Sequence, residues 1–177
     1  MNEEVKYTHY LTSEEKLESW GYGDWVEEAD EALFTYKGIK CCVMRMAVWE
    51  GSPRQLSLGQ LNGYVKIPDD HPLFGKDIYE EEVEIEVHGG LTYGGDLKDN
   101  GDFWMGFDCA HSGDLVPSLG KRLESKLIGL PAGLPKKYYK KFSSFLNEPI
   151  YRNMRFCIEE CKKMVDQVLE IGVEKDY

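Results

Sequence analysis

Tyr151-Arg152-Asn153-Met154-Arg155-Phe156-Cys157-Ile158-Glu159-Glu160-Cys161-Lys162-Lys163-Met164-Val165-Asp166-Gln167-Val168 is the stretch on which the fold turns. Within it Tyr151, Met154, Ile158, Cys161, Val165 and Val168 recur at spacings of three and four, which aligns them along one side of an α-helix. The spacing predicts a helix of about six turns over 148–171, with Asn147 as its cap. Such a stripe has to be covered by another layer, and the residues before it offer a sheet.

Working outward, Leu33-Phe34-Thr35-Tyr36 and Ile39 to Val48 are rich in strand formers, and Lys37-Gly38 supplies a turn, so the pair reads as a hairpin. Trp49-Glu50-Gly51-Ser52-Pro53 breaks that pattern. Leu61 to Ile67 is a third strand, stopped by Pro68. Glu82 to His88 alternates most regularly, with Val83, Ile85 and Val87 on one side and Glu82, Glu84 and Glu86 on the other. Asp102 to Cys109 alternates again and puts Phe103, Met105, Phe107 and Cys109 on one face. Near the start, Thr12-Ser13-Glu14-Glu15 has the form of a capping box, which predicts a short helix to about Ser19 that ends near Gly21. The expectation is an α+β fold: an antiparallel sheet over 33–109 with a long C-terminal helix packed on one face. It is read as a single domain, 1–177, with an acidic segment over 1–31 and a basic loop or short helices over 115–146.

Composition bounds the function. The chain has 177 residues, 42% of them hydrophobic and 12% aromatic, enough for a core without staples. Five cysteines, two of them adjacent (Cys41, Cys42), do not form a disulfide framework, and the absence of any Cys-x-x-Cys pair argues against a structural zinc cluster. No apolar run approaches the roughly 18 residues of a membrane helix, and Met1-Asn2-Glu3-Glu4-Val5-Lys6 lacks the marks of a secretion signal. A cytoplasmic protein without a membrane partner is expected. A net charge of −11 opposes binding to duplex nucleic acid. The charge is uneven. Residues 1–31 hold ten acidic and two basic side chains, whereas 121–141 hold seven basic ones against Glu124. A basic segment of this kind attracts a small anion or an acidic partner locally, or is simply a solvated face.

Two stretches depart from this background: Val87-His88-Gly89-Gly90-Leu91-Thr92-Tyr93-Gly94-Gly95 and Gly106-Phe107-Asp108-Cys109-Ala110-His111-Ser112-Gly113-Asp114. Clustered glycines are costly in strands and are used where backbone turns sharply or another group approaches closely. If Glu82–His88, Leu91–Gly95 and Asp102–Cys109 run as a meander, His88 leaves the sheet at the same edge as Asp108, His111 and Asp114. Four chemistries suit that set. His88, Asp108, His111 and Asp114 are suitable ligands for a divalent metal. His88 or His111, oriented by a carboxylate such as Asp108, suits general acid–base catalysis. Cys109 beside a histidine suits nucleophilic catalysis, although its place beside Phe107 and Met105 predicts an inert, buried thiol. The fourth is binding without reaction, the glycines admitting a polar ligand close to the backbone. His9 and His71 read as structural histidines, and Cys157 with Cys161 as buried thiols.

Leu61-Asn62-Gly63-Tyr64-Val65, His71-Pro72-Leu73-Phe74-Gly75, Val87-His88-Gly89-Gly90-Leu91-Thr92-Tyr93 and Gly106-Phe107-Asp108-Cys109-Ala110-His111-Ser112-Gly113-Asp114 occur in that order. In this series the chain resembles a family of small uncharacterised bacteriophage and prophage proteins. The similarity runs from about Leu33 to the terminal helix, where Tyr151-Arg152-Asn153-Met154 also fits. The resemblance implies an accessory or counter-defence role in a host cytosol, acting on an effector or on a nucleotide signal. A nucleotide-like ligand would then be held by Asn62, Tyr64, Gly89, Gly90, Thr92, Tyr93, Trp104, Ser112 and Asp114, with Tyr64, Tyr93 and Trp104 as stacking groups. A metal-dependent hydrolase using His88, Asp108, His111 and Asp114 is the alternative. A second alternative is an inhibitor of a host protein whose acidic surface imitates nucleic acid; self-association is open in each case.

Overall fold

Lys37 and Gly38 both have positive φ, 47° and 84°, the twist that suits a two-residue hairpin turn. The computed structural model describes residues 4–46, 58–80, 82–119 and 149–173. In these, β1 (Lys6–Thr8), β2 (Glu31–Tyr36), β3 (Ile39–Arg45), β4 (Leu61–Ile67), β5 (Tyr93–Gly95) and β6 (Phe103–Asp108) form one antiparallel sheet in the order β1-β2-β3-β4-β6-β5. The sheet therefore starts inside the acidic N-terminal segment, before Leu33. The hairpin is as expected up to Arg45; Ala47 and Val48 lie outside the described residues. So does most of the basic segment, including 121–141.

Helices α1 (Ser13–Trp20) and α2 (Met154–Val173) accompany the sheet. The capping box at α1 is present: the Glu15 amide donates to Thr12 Oγ1 at 3.1 Å and the Thr12 amide to Glu15 Oε2 at 2.9 Å. α2 begins later than the sequence suggests. Ile150 is still extended and bridges to Asp114 in parallel fashion, so Asn153 is the cap, accepting from the Phe156 amide at 3.0 Å. The proposed cap, Asn147, lies outside the described residues. Tyr151 stands apart from the stripe and packs edge-on against Trp25, 5.2 Å between ring centroids, beside Leu11 and Trp20.

The stripe itself is Met154, Cys157, Ile158, Cys161, Met164, Val165 and Val168, all buried against Cys41, Val43, Leu61, Val65, Met105 and Phe107. Each such side chain removed from water stabilises the fold by about 1.5–3 kcal/mol, which makes this interface the main core. Gly63 permits the close approach. A Cβ there would lie 2.4 Å from the Phe107 ring and 2.8 Å from Cys161 Sγ. Gly63→Ala is expected to destabilise the protein by about 1–3 kcal/mol through overpacking; an unchanged urea midpoint would mean that α2 is not seated over β4.

The most regular alternation in the sequence is not a strand of this sheet. Residues 82–88 bury Ile85 and pack Val83 and Val87 on the core, but β6 already has β4 on one side and β5 on the other. The segment lies along α2 instead. The Glu86 amide donates to Gln167 Oε1 at 2.7 Å, Gln167 Nε2 donates to the Glu86 carbonyl at 2.8 Å, and the His88 amide donates to Glu160 Oε2 at 3.0 Å. A period of two reports one buried face and does not specify which element supplies the partner. The expected meander is thereby corrected.

The opposite face of the sheet carries a second, small cluster of Cys42, Tyr64, Leu97 and Trp104. At the N-terminal end, Lys16, Asp30 and Arg45 form a fully buried ion network, side chains 0% exposed. Glu28 extends it to Arg45 and caps α2 by accepting from the Met154 amide. Several carboxylates of the acidic segment are thus engaged inside the protein: Glu15 in the cap, Glu28 and Asp30 in the network, and Glu31 with the Tyr10 hydroxyl. Among the described residues no helix is long and apolar enough to cross a membrane.

Candidate functional site

Two tight turns build the site. In Val87-His88-Gly89-Gly90 the Gly90 amide donates to the Val87 carbonyl at 2.9 Å, and in His111-Ser112-Gly113-Asp114 the Asp114 amide donates to the His111 carbonyl at 2.9 Å. The third residue of each is a glycine with positive φ, 68° at Gly89 and 91° at Gly113, where an L side chain is strained. The second turn follows β6 directly and is pinned by Ile150, whose amide donates to the Gly113 carbonyl at 2.8 Å. The first is delivered by residues 82–88, which run along α2. His88 and His111 thus meet, but by way of the helix and not by strand pairing.

The two imidazoles stand edge to face, 5.5 Å between centroids. His88 Nε2 lies 2.8 Å from Asp114 Oδ2, and the His111 amide donates to the same oxygen at 3.0 Å. Arg152 Nε donates to Asp114 Oδ1 at 2.9 Å. The Asp114 side chain is only 1% exposed. Burial pushes its carboxyl pKa up, but the bonds from His88, Arg152 and the His111 amide outweigh that and hold it below the ordinary carboxylate value. An ionised Asp114 accepts, so His88 donates to it from Nε2. Phe156 packs edge-on against the His88 ring at 5.2 Å, and the Arg152 guanidinium lies 4.9 Å above the Phe156 ring. Gly89 is the floor under His111: a Cβ at that position would fall 2.2–2.4 Å from its ring atoms.

One polar atom is left over. His111 Nδ1 is buried and has no hydrogen-bond partner. Asp108 Oδ1 stands 3.5 Å from it and Asp114 Oδ2 3.7 Å, beyond normal hydrogen-bonding range. Asp108 meanwhile accepts from the Ala110 amide at 2.9 Å. The ligand atoms of His88, His111 and Asp114 all lie within 4.8 Å of one another, close enough to share one ion.

No family, curated protein or solved structure matches the chain. The site therefore has to be read from its own chemistry.

The structure splits the expected residue set in two. His88, Gly89, Asp108, His111 and Asp114 come together, with Gly90 and Ser112 in the same turns. Tyr64 and Trp104, each 3% exposed, belong to the cluster on the opposite face of the sheet and cannot stack on a ligand at the histidines. The reason is strand alternation: Gly63 faces Cys161 on α2, so Asn62 and Tyr64 point away from it, Asn62 Nδ2 donating to the Tyr64 hydroxyl at 3.2 Å. Tyr93 packs edge-on against Tyr64 on that same face. Thr92 serves the sheet through its backbone, its amide donating to the Gly106 carbonyl at 2.9 Å. Cys109 is buried with its Sγ 3.6 Å from that of Cys157, so it is not an accessible nucleophile. His71 is structural, with Nε2 2.8 Å from the Val168 carbonyl and Nδ1 accepting from the Leu73 amide. Sequence reasoning missed Arg152, Phe156 and Glu160. All three come from α2 or the residues just before it: Arg152 meets Asp114 next to the Ile150 bridge, and the crossing of residues 82–88 brings His88 to Phe156 and Glu160.

Proposed function

We propose that this protein is a phage accessory protein that binds a small anionic, nucleotide-like ligand at the His88–His111 opening. The reading rests on one observation: two imidazoles from separate glycine turns face each other over a backbone floor that has no room for a side chain. Arg152 provides a guanidinium beside the two imidazoles, while the Asp114 charge is turned inward against Arg152 and His88. With Tyr64 and Trp104 buried elsewhere, recognition relies on hydrogen bonding and charge, not on stacking. The test is incubation with a panel of linear and cyclic nucleotides, then desalting, heat release and chromatography. Retention of one class is expected, weakened roughly 10–150-fold by His88→Ala or His111→Ala, the equivalent of about 1.5–3 kcal/mol for a charge-assisted bond. Recovery of intact ligand means sequestration. Altered products favour the hydrolase reading, for which the partnerless His111 Nδ1 speaks. Retention of no nucleotide would sink the proposal.

A further inference from the structure

We infer that His88, His111 and Asp114, with Asp108 beside His111, form a binding site for one divalent first-row transition-metal ion. In the ion-free cluster His111 Nδ1 is buried and has no hydrogen-bond partner. That nitrogen faces two carboxylate oxygens at 3.5 and 3.7 Å. Metal–nitrogen and metal–oxygen bonds of about 2.0–2.2 Å at near-tetrahedral angles separate neighbouring ligand atoms by roughly 3.3–3.6 Å. The observed gaps are therefore short for unrelated groups, long for hydrogen bonds and close to the edge of a coordination polyhedron.

The surroundings suit an ion as well. Arg152 holds Asp114 by Oδ1 and leaves Oδ2 turned toward the histidines, the kind of outer support that orients a ligating carboxylate. In the ion-free protein the His88 Nε2 proton takes the cation's place against Asp114 Oδ2. Ligation through Nε2 shifts that ring proton to Nδ1 and requires no redox partner. Two imidazoles and a carboxylate favour zinc or manganese over magnesium or calcium. Three protein ligands leave the fourth tetrahedral position for a ligand's anionic oxygen, and the ion's charge would offset the carboxylates that otherwise repel it. The site stands on its own geometry and goes beyond the ligand-binding reading.

The experiment strips the full chain with chelator, titrates it with zinc or manganese by calorimetry, and counts retained ions after desalting. One ion per chain is expected, with a thermal midpoint that rises with metal concentration. His111→Ala and Asp108→Asn should each weaken binding by about 10–100-fold or more, whereas exposed His9→Ala should leave it unchanged. Far-UV circular dichroism separates loss of the site from loss of the fold, and Asp108→Asn serves if the histidine variant does not fold. Substoichiometric uptake by the wild type, or full uptake by a folded His88→Ala/His111→Ala protein, overturns the inference. Repeating the nucleotide panel on stripped protein keeps the two proposals apart: ligand retained without metal leaves the ligand reading standing if the ion titration fails.

Discussion

Asp30→Asn is expected to lower stability by about 3–5 kcal/mol, the usual cost of removing one partner from a buried ion pair. Asp30 Oδ1 lies 3.0 Å from Lys16 Nζ and 2.7 Å from Arg45 Nε, while Oδ2 accepts from the amides of Tyr10 and Leu11, each at 2.9 Å. The amide of an asparagine cannot satisfy all four donors, and buried Lys16 would lose its carboxylate while Arg45 kept only that of Glu28. The loss reaches beyond the network, because Arg45 also bonds the Gly59 carbonyl, Glu28 and the Tyr151 hydroxyl. The same residue sets an acid limit. Burial raises the Asp30 pKa, but the Leu11 amide, Lys16 and Arg45 outweigh it and the net shift is downward. A depressed carboxyl contributes its stabilisation in full above the ordinary value of 3.8 and loses it as pH falls through the lower folded value. Urea unfolding followed by the fluorescence of Trp20 and Trp25 from neutral pH to below 3.8 checks both points. The wild type should weaken on the acid side, and Asp30→Asn should be weak throughout with a flatter profile. A variant within about 1 kcal/mol of wild type at neutral pH would show that the network is not a keystone.

Gly89→Ala is expected to remove the site while leaving the sheet intact. The added Cβ would sit 2.2–2.4 Å from three atoms of the His111 ring, at a φ of 68°. The ring must move, which takes Nδ1 away from Asp108 and Asp114. Gly90→Ala is the informative partner. Its φ is 86°, but a Cβ there meets nothing within 4 Å. Both variants should therefore pay a similar left-handed strain of about 1–2 kcal/mol, and only Gly89→Ala should shift the His111 imidazole resonances and weaken retention of the ligand by roughly 10-fold or more. Equal effects from the two substitutions would assign the glycines to turn geometry alone.

How far the sequence carried the fold depended on what kind of signal each element sends. The capping box, the Lys37-Gly38 turn, Leu61–Ile67 and the stripe of α2 are local patterns with a physical cause inside a few residues, and the structure has them with small shifts in their ends. Residues 82–88 show the limit. Their alternation correctly separated inside from outside, but the neighbour is the side of a helix more than seventy residues later. The aromatic residues failed for a related reason: Tyr64 and Trp104 occupy the strand face opposite α2, and nothing in the spacing of Leu61–Ile67 or Phe103–Asp108 indicated which face the histidines would use. His88, His111 and Asp114 were legible as a group because glycine, histidine and aspartate gathered in short turns are poor core material. Arg152 and Phe156 look like ordinary helix-start residues until the chain is folded.

The bonding of residues 82–88 makes the two walls of the opening mechanically unequal. His111 and Asp114 ride on a turn anchored to β6 and to Ile150, whereas His88 hangs from α2 by the side chains of Gln167 and Glu160. Displacing the first wall disrupts backbone pairing; peeling back the second breaks bonds to side chains of α2 and uncovers Ile85, with the six-stranded scaffold left undisturbed.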